Sequence, residues 1–164
     1  MGKPVDFLFC QTSTTSTRPT RTSADPRQPS FPPAALRAQL WITDLGFLTY
    51  WLTTFSGLLP ADWAYKDHDL PVMVAWNVSF APLDLLASLS GLFALHLLRQ
   101  GDERARLVLP ISLSLTFAAG LLALVFWGLR GDFEVGWWLP NLYLTLWPLW
   151  TLSRWWRQLS PPAR

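Results

Sequence analysis

Between Pro71 and Arg99 the chain reads PVMVAWNVSFAPLDLLASLSGLFALHLLR, an apolar run of more than 20 residues with an aspartate, Asp84, near its centre. At about 1.5 Å of rise per residue, a helix of that length crosses a bilayer. An ionisable group at mid-bilayer costs roughly 2.5–3.5 kcal/mol on insertion scales, so Asp84 needs a reason to be there. Asn77, Asp84, Ser88 and Gly91 follow steps of seven, four and three, which places them on one helical stripe. That stripe cannot face lipid. Other helices must cover it, and the space beside Asp84 becomes the first candidate for a working site.

The rest of the chain supplies those helices. Half of its residues are hydrophobic (51%), and nearly all Lys, Arg, Asp and Glu fall outside four long apolar blocks. This distribution predicts an all-α polytopic membrane protein, a bundle of four transmembrane helices over residues 36–158. The expected spans are about 40–59, 72–98, 107–129 and 137–152. Thr116, Gly120 and Ala123 in the third would permit close helix approach. Residues 1–35 are rich in Ser, Thr, Pro and Arg and lack the apolar content for a core, so a disordered tail is expected there. Its arginines and hydroxyls superficially resemble an organelle transit peptide; a solvated basic tail, or an over-extended start of translation, is the plainer reading. The apolar patch Val5–Cys10 is too short for a secretory signal, so the first span is expected to direct insertion.

Charge sets the topology. The tail, the 99–106 connection and the C-terminus hold most of the arginines, whereas the 60–70 and 130–136 loops are net acidic. The positive-inside rule then puts both termini in the cytoplasm (N-in/C-in) of a plasma, or bacterial inner, membrane. Trp63, Tyr65, Trp137 and Trp138 form the expected outer aromatic belt, and Trp155 and Trp156 the inner one. Leu70-Pro71 and Leu139-Pro140 both open helices that soon carry an asparagine, a faint sign of a duplicated hairpin. A net charge of +2 is too small and scattered for a nucleic-acid partner, and the single cysteine, Cys10, excludes an internal disulfide or cysteine metal cluster.

Counting at helical rise gives depths. Asp44 lies about one turn above the cytoplasmic edge of the first span, and His96 at a similar level on the second, so the two are expected to meet near Arg37 or Arg99. Such a pair would close that end of the bundle or handle protons. Asp84 is deeper, about 15 Å or more from Asp44. Its expected neighbours are Tyr50, Trp51 and Thr54, then Thr116 and Trp147. Tyr50 or a threonine hydroxyl would supply its hydrogen bond. Pro82 removes a backbone donor just before it, so a local kink is expected. Nearer the outside, Asn77 and Asn141, with Asp67, Asp69, Asp132 and Glu134 in the loops, outline a polar vestibule. Asp67-His68-Asp69 has metal-ligand residue types, but adjacent loop residues seldom converge on one ion; neither a metal nor a cofactor is expected.

The usual catalytic signatures (G-x-S-x-G, H-E-x-x-H, Walker and dinucleotide loops) are missing. What remains is an acid among aromatics at membrane depth. Low dielectric favours the neutral acid, which can protonate an alkene or epoxide while aromatic faces stabilise the resulting cation. The leading expectation is therefore a pocket for a hydrophobic, isoprenoid-like small molecule. Asp84, and secondarily Asp44, are the candidate acids of a cyclase or isomerase, and Tyr50, Trp51, Trp76, Asn77, Asn141 and Trp147 the candidate ligand contacts. Two rivals stand beside it: a proton-coupled exporter of lipophilic cations, forming a homo-oligomer, and a non-catalytic accessory subunit whose buried polar residues only join helices.

Thr43-Asp44-Leu45-Gly46-Phe47 with Tyr50-Trp51, then Tyr65-Lys66-Asp67, resembles the YvaD-like family of small bacterial membrane proteins. So do Ala75-Trp76-Asn77-Val78-Ser79-Phe80, Pro82-Leu83-Asp84, and Asp132-Phe133 leading to Gly136-Trp137-Trp138-Leu139-Pro140-Asn141. The resemblance covers about residues 40–150 and implies a four-helix inner-membrane protein, with no reaction or catalytic residue to carry over. A vaguer likeness, to membrane-bound terpene cyclases and sterol isomerases, rests on acids and aromatics in a helical bundle rather than on any motif.

Overall fold

The computed structural model describes residues 34–60, 63 and 65–159. Of the tail expected over 1–35, residues 1–33, Cys10 among them, lie outside the described ones, and Ala34 and Ala35 already belong to the first helix. The described residues are all-α, without strands. They comprise α1 (Ala34–Phe55), α2 (Pro71–Ser79), α3 (Ala81–Gln100), α4 (Ala105–Leu129) and α5 (Val135–Leu159). Helices α2 and α3 continue one another across Phe80, so there are four rods. Two of them, Pro71–Gln100 and Ala105–Leu129, are long and apolar enough to cross a membrane by length and composition.

Local chemistry explains the ends. The first rod stops at Phe55, short of the Leu59 expected before Pro60, because Ser56-Gly57 supplies a left-handed stop (Gly57 φ 68°). Gly101 ends α3 the same way, at φ 71°, its N–H reaching the Leu98 carbonyl at 3.3 Å. Pro71 sits in the first turn of α2, where a missing N–H costs nothing. The kink expected at Pro82 is found as the break at Phe80, after which Pro82 occupies the first turn of α3. Pro140, by contrast, lies inside α5, which begins at Val135, so the two Leu-Pro steps do not open equivalent helices.

The rods pack in chain order: α1 on α3, α3 on α4, α4 on α5. At one end all four meet in a core of Leu36, Leu40, Ala94, Leu95, Leu109, Leu113 and Trp147. At the other, Trp76 stacks on Phe126 at 3.9 Å and Trp127 on Trp137 at 5.9 Å. Between α4 and α5 the approach is tight at Gly120, where an added Cβ would lie 2.7 Å from Thr145 Oγ1 and 2.8 Å from the Asn141 carbonyl oxygen. The carbonyl belongs to helix backbone and cannot swing aside. Gly120→Ala is therefore expected to cost about 1–3 kcal/mol of stability, read as a lowered unfolding midpoint in detergent. Gly46→Ala, with nothing within 4 Å of the new Cβ, is expected to be neutral or stabilising.

Candidate functional site

The stripe of Asn77, Asp84, Ser88 and Gly91 is buried along its length and faces α1 and α4. Ser88 folds back to the Asp84 carbonyl at 2.8 Å, and Ser112 of α4 donates to the Ala87 carbonyl at 3.0 Å. On the α1 side the register is simple. Trp51 lies opposite Asp84 and Asp44 opposite Gly91, each pair seven residues on from the other along both helices. Such a heptad repeat keeps one face of each antiparallel helix turned to its partner.

Asp84 is 5% exposed. Its Oδ2 accepts the indole N–H of Trp51 at 2.9 Å, whereas Oδ1 is buried with no hydrogen-bond partner among the described residues. Tyr50, the expected donor, instead gives its hydroxyl hydrogen to Asn77 Oδ1 at 3.0 Å, leaving Asn77 Nδ2 buried and without an acceptor among the described residues. The rings of Tyr50 and Trp51 meet edge to face at 5.0 Å, which ties the two hydrogen-bonded pairs together. Buried polar atoms are almost always satisfied in folded proteins. A free acceptor and a free donor on one stripe mark positions that a water or another polar group would satisfy.

Asp44 is the more extreme case. It is wholly buried, and neither carboxyl oxygen has a hydrogen-bond partner among the described residues. Its side chain occupies the space that a Cβ on residue 91 would fill, 2.7 Å from that position at Cγ. The pair expected with His96 is not formed. His96 is exposed and its ring bonds the Gln100 side chain at 3.1 Å, while Arg99 lies over the Trp41 ring at 5.6 Å. With Gly91 as its neighbour, Asp44 is seven residues of α3 from Asp84, about 10 Å rather than 15 Å.

The remaining expected contacts are dispersed. Trp76 belongs to the Phe126–Trp127 stack. Trp147 belongs to the apolar cluster that also holds Leu113 and Ala94, and its indole N–H is buried without a partner among the described residues. Thr116 donates to the Ser112 carbonyl of its own helix at 3.0 Å. Asn141 turns to the Trp137 carbonyl at 2.7 Å and does not join Asn77.

Three of the loop acids, Asp67, Asp132 and Glu134, are paired with basic side chains. Lys66 bridges Asp132 at 2.6 Å and Glu134 at 3.6 Å, and Arg130 pairs with Asp67. These contacts clasp the 65–70 loop to the 130–134 loop. His68 lies 3.2 Å from Asp69, and among the described residues no group of three His, Cys, Asp or Glu could hold a metal ion. The Lys66 ammonium holds the Asp132 carboxyl below its ordinary 3.8, and Asp132 raises Lys66 in return. A depressed acid contributes stability above its unfolded value, lost as pH falls through the folded one. The clasp is accordingly expected to hold at neutral pH and to open only below pH 3.8. The Trp138 indole N–H, bonded to the Asp132 carbonyl at 2.7 Å, reports this by NMR, and Lys66→Ala is expected to shift that resonance already at pH 7.

A family model described as "Family of unknown function (DUF5360)" matches residues 36–160, which include both buried aspartates. The chain is 49% identical over 108 residues to "Uncharacterized protein YvaD" of Bacillus subtilis (strain 168), an overlap of 66% of this chain and 81% of that protein. No solved structure matches. These matches support the YvaD-like resemblance and lend no support to the likeness to terpene cyclases and sterol isomerases.

Proposed function

The chain belongs to the DUF5360 family, and for it we propose a four-span membrane protein, both termini cytoplasmic, with an intramembrane site at Asp84 for a hydrophobic, isoprenoid-like molecule. The outward faces of the rods favour a lipid surround: Leu52, Val72, Leu86, Phe93, Leu107 and Leu129 are all exposed. The basic 99–106 connection and the clasped acidic loops favour the orientation.

One observation carries the assignment of the site: a buried carboxyl steered through one oxygen by the Trp51 indole N–H, with the other oxygen left unpartnered. In its neutral form that acid delivers its proton to an alkene or epoxide. The cation so formed is stabilised by the neighbouring ring faces of Trp51 and Tyr50. Loss of a proton from an adjacent carbon back to the carboxylate restores the acid, and the net change is isomerisation or cyclisation. The test is turnover of prenyl substrates by the purified protein in lipid vesicles, with products identified by mass spectrometry. Asp84→Asn, which keeps the shape and the Trp51 contact, is expected to lower turnover at least a hundredfold while inserting normally. Full activity in that variant removes the reading.

Asp44 favours a second reading, proton-coupled export of lipophilic cations. A wholly buried acid with no hydrogen-bond partner among the described residues can take up and release a proton as its surroundings open, and the Asp44–Asp84 seam is the route. Under this reading Asp44→Asn abolishes pH-driven transport in vesicles; under the first it leaves turnover within about twofold.

A further inference from the structure

Arg130, Arg99 and Arg154 each lie over an indole ring, and they differ in what else they meet. Arg130 is 5.5 Å from the Trp127 ring centroid and also pairs with the Asp67 carboxylate. Arg99 is 5.6 Å over Trp41 and Arg154 4.9 Å over Trp150, and neither has a carboxylate partner among the described residues. A guanidinium resting on an indole keeps its N–H edge free, and that edge matches two oxygens of a carboxylate or a phosphate. At the outer end Asp67 meets it. At the inner end no acid among the described residues does.

Arg154 shows what belongs there, because its apolar continuation lies on its own helix. Tyr143, Leu146, Trp150, Arg154 and Arg157 follow steps of three, four, four and three along α5, and all five are exposed. The helix itself contains no Asp or Glu. From Arg157 to Leu146, eleven residues rise about 16 Å, the depth of one leaflet of a bilayer whose core is about 30 Å thick. A cationic edge, then an indole, then an apolar column repeats the order of a phospholipid's head group, ester region and acyl chain. Arg157, in the last turn, also complements the helix dipole, a role that needs no ligand. Arg154 is therefore the diagnostic residue.

We infer that the α5 stripe from Leu146 to Arg157 seats an anionic phospholipid, its phosphate on the Arg154 guanidinium and an acyl chain along Trp150 and Leu146. A second copy of the chain is the poorer occupant, since two such stripes meeting across a two-fold axis would bring like charges together. The inference rests on the reading of the chain as membrane-spanning and adds to it a lipid of stated charge at a stated place.

The experiment uses the full chain in phosphatidylcholine nanodiscs carrying a trace of photoactivatable phosphatidylglycerol or photoactivatable phosphatidylcholine, with the labelled peptides mapped by mass spectrometry. Labelling of the Leu146–Trp150 peptide is expected to favour phosphatidylglycerol about fivefold, the preference one arginine near the membrane surface supplies. Arg154→Gln, an exposed substitution that should leave the unfolding midpoint unchanged, is expected to erase that preference. Arg104→Gln, which removes an arginine already near Asp102 at 3.9 Å, is expected to keep it. Equal labelling by the two lipids, or an equal loss in both variants, overturns the seat in favour of a non-selective lipid surround. Labelling by neither lipid overturns it in favour of a protein partner on this face, and loss of phosphatidylglycerol labelling to excess inorganic phosphate in favour of a soluble anion. Release of the chain from membranes by alkaline carbonate overturns the membrane reading beneath it as well.

Discussion

Gly91→Ala is expected to destabilise the protein by about 1–3 kcal/mol. The added Cβ would fall on the Asp44 carboxyl, 2.7 Å from its Cγ, and the carboxyl is wholly buried between helices. Either α1 moves away from α3 or Asp44 leaves its rotamer. The diagnostic result is a change of sign. In an Asp44→Ala background the obstruction is gone, and alanine at 91 then gains the helix-propensity advantage over glycine of about 1 kcal/mol. Gly91→Ala should thus be destabilising alone and stabilising beside Asp44→Ala. A double-mutant cycle on unfolding in detergent reads the coupling directly. Asp44→Ala alone should be neutral or stabilising, since it removes a buried group with no hydrogen bond. A loss of transport in a variant that has gained stability would separate the function of Asp44 from any structural duty. Additive costs for the two substitutions would mean that the two residues do not share this space.

How far the sequence foretells this arrangement depends on which property is asked of it. Periodicity serves well. The steps from Asn77 through Asp84 and Ser88 to Gly91 mark the covered face, and Pro82 marks the break, because both follow from the local geometry of one helix. Trp51 was legible as a neighbour of Asp84 by depth, but not as its donor. An indole N–H is a less obvious partner than a tyrosine hydroxyl, and the choice was made by which residue of the Tyr50-Trp51 pair faces α3. The Asp44–His96 expectation failed because it compared depths and ignored faces. His96 is five residues beyond Gly91, which turns it about 140° away from the seam. The usable signal was the matching heptad, Asp44 to Trp51 on one helix and Asp84 to Gly91 on the other, which pairs a bulky side chain with glycine and an indole with an acid. The loop clasp had no such signal. Lys66 and Asp132 are 66 residues apart, and only the helices between them bring the pair together.

Trp51→Phe is expected to cost about 2–3 kcal/mol, because it removes the donor to Asp84 Oδ2 and leaves a buried carboxyl with no partner among the described residues. Asp84→Leu should cost less. The carboxyl it deletes is already half unsatisfied, and the orphaned indole N–H is a milder loss than an orphaned acid. Combining the two removes both partners of the bond at once, and the pair should recover most of the stability lost by Trp51→Phe alone. That recovery gives the functional readings their sharpest contrast. The combined variant folds with an apolar seam where the acid stood, so an accessory subunit that needs these residues only to join its helices keeps its role. An enzyme or exporter that uses the Asp84 proton loses all activity while keeping its unfolding midpoint. Measuring midpoint and turnover on the same four proteins (wild type, each single variant and the pair) therefore decides whether the carboxyl is there for packing or for chemistry.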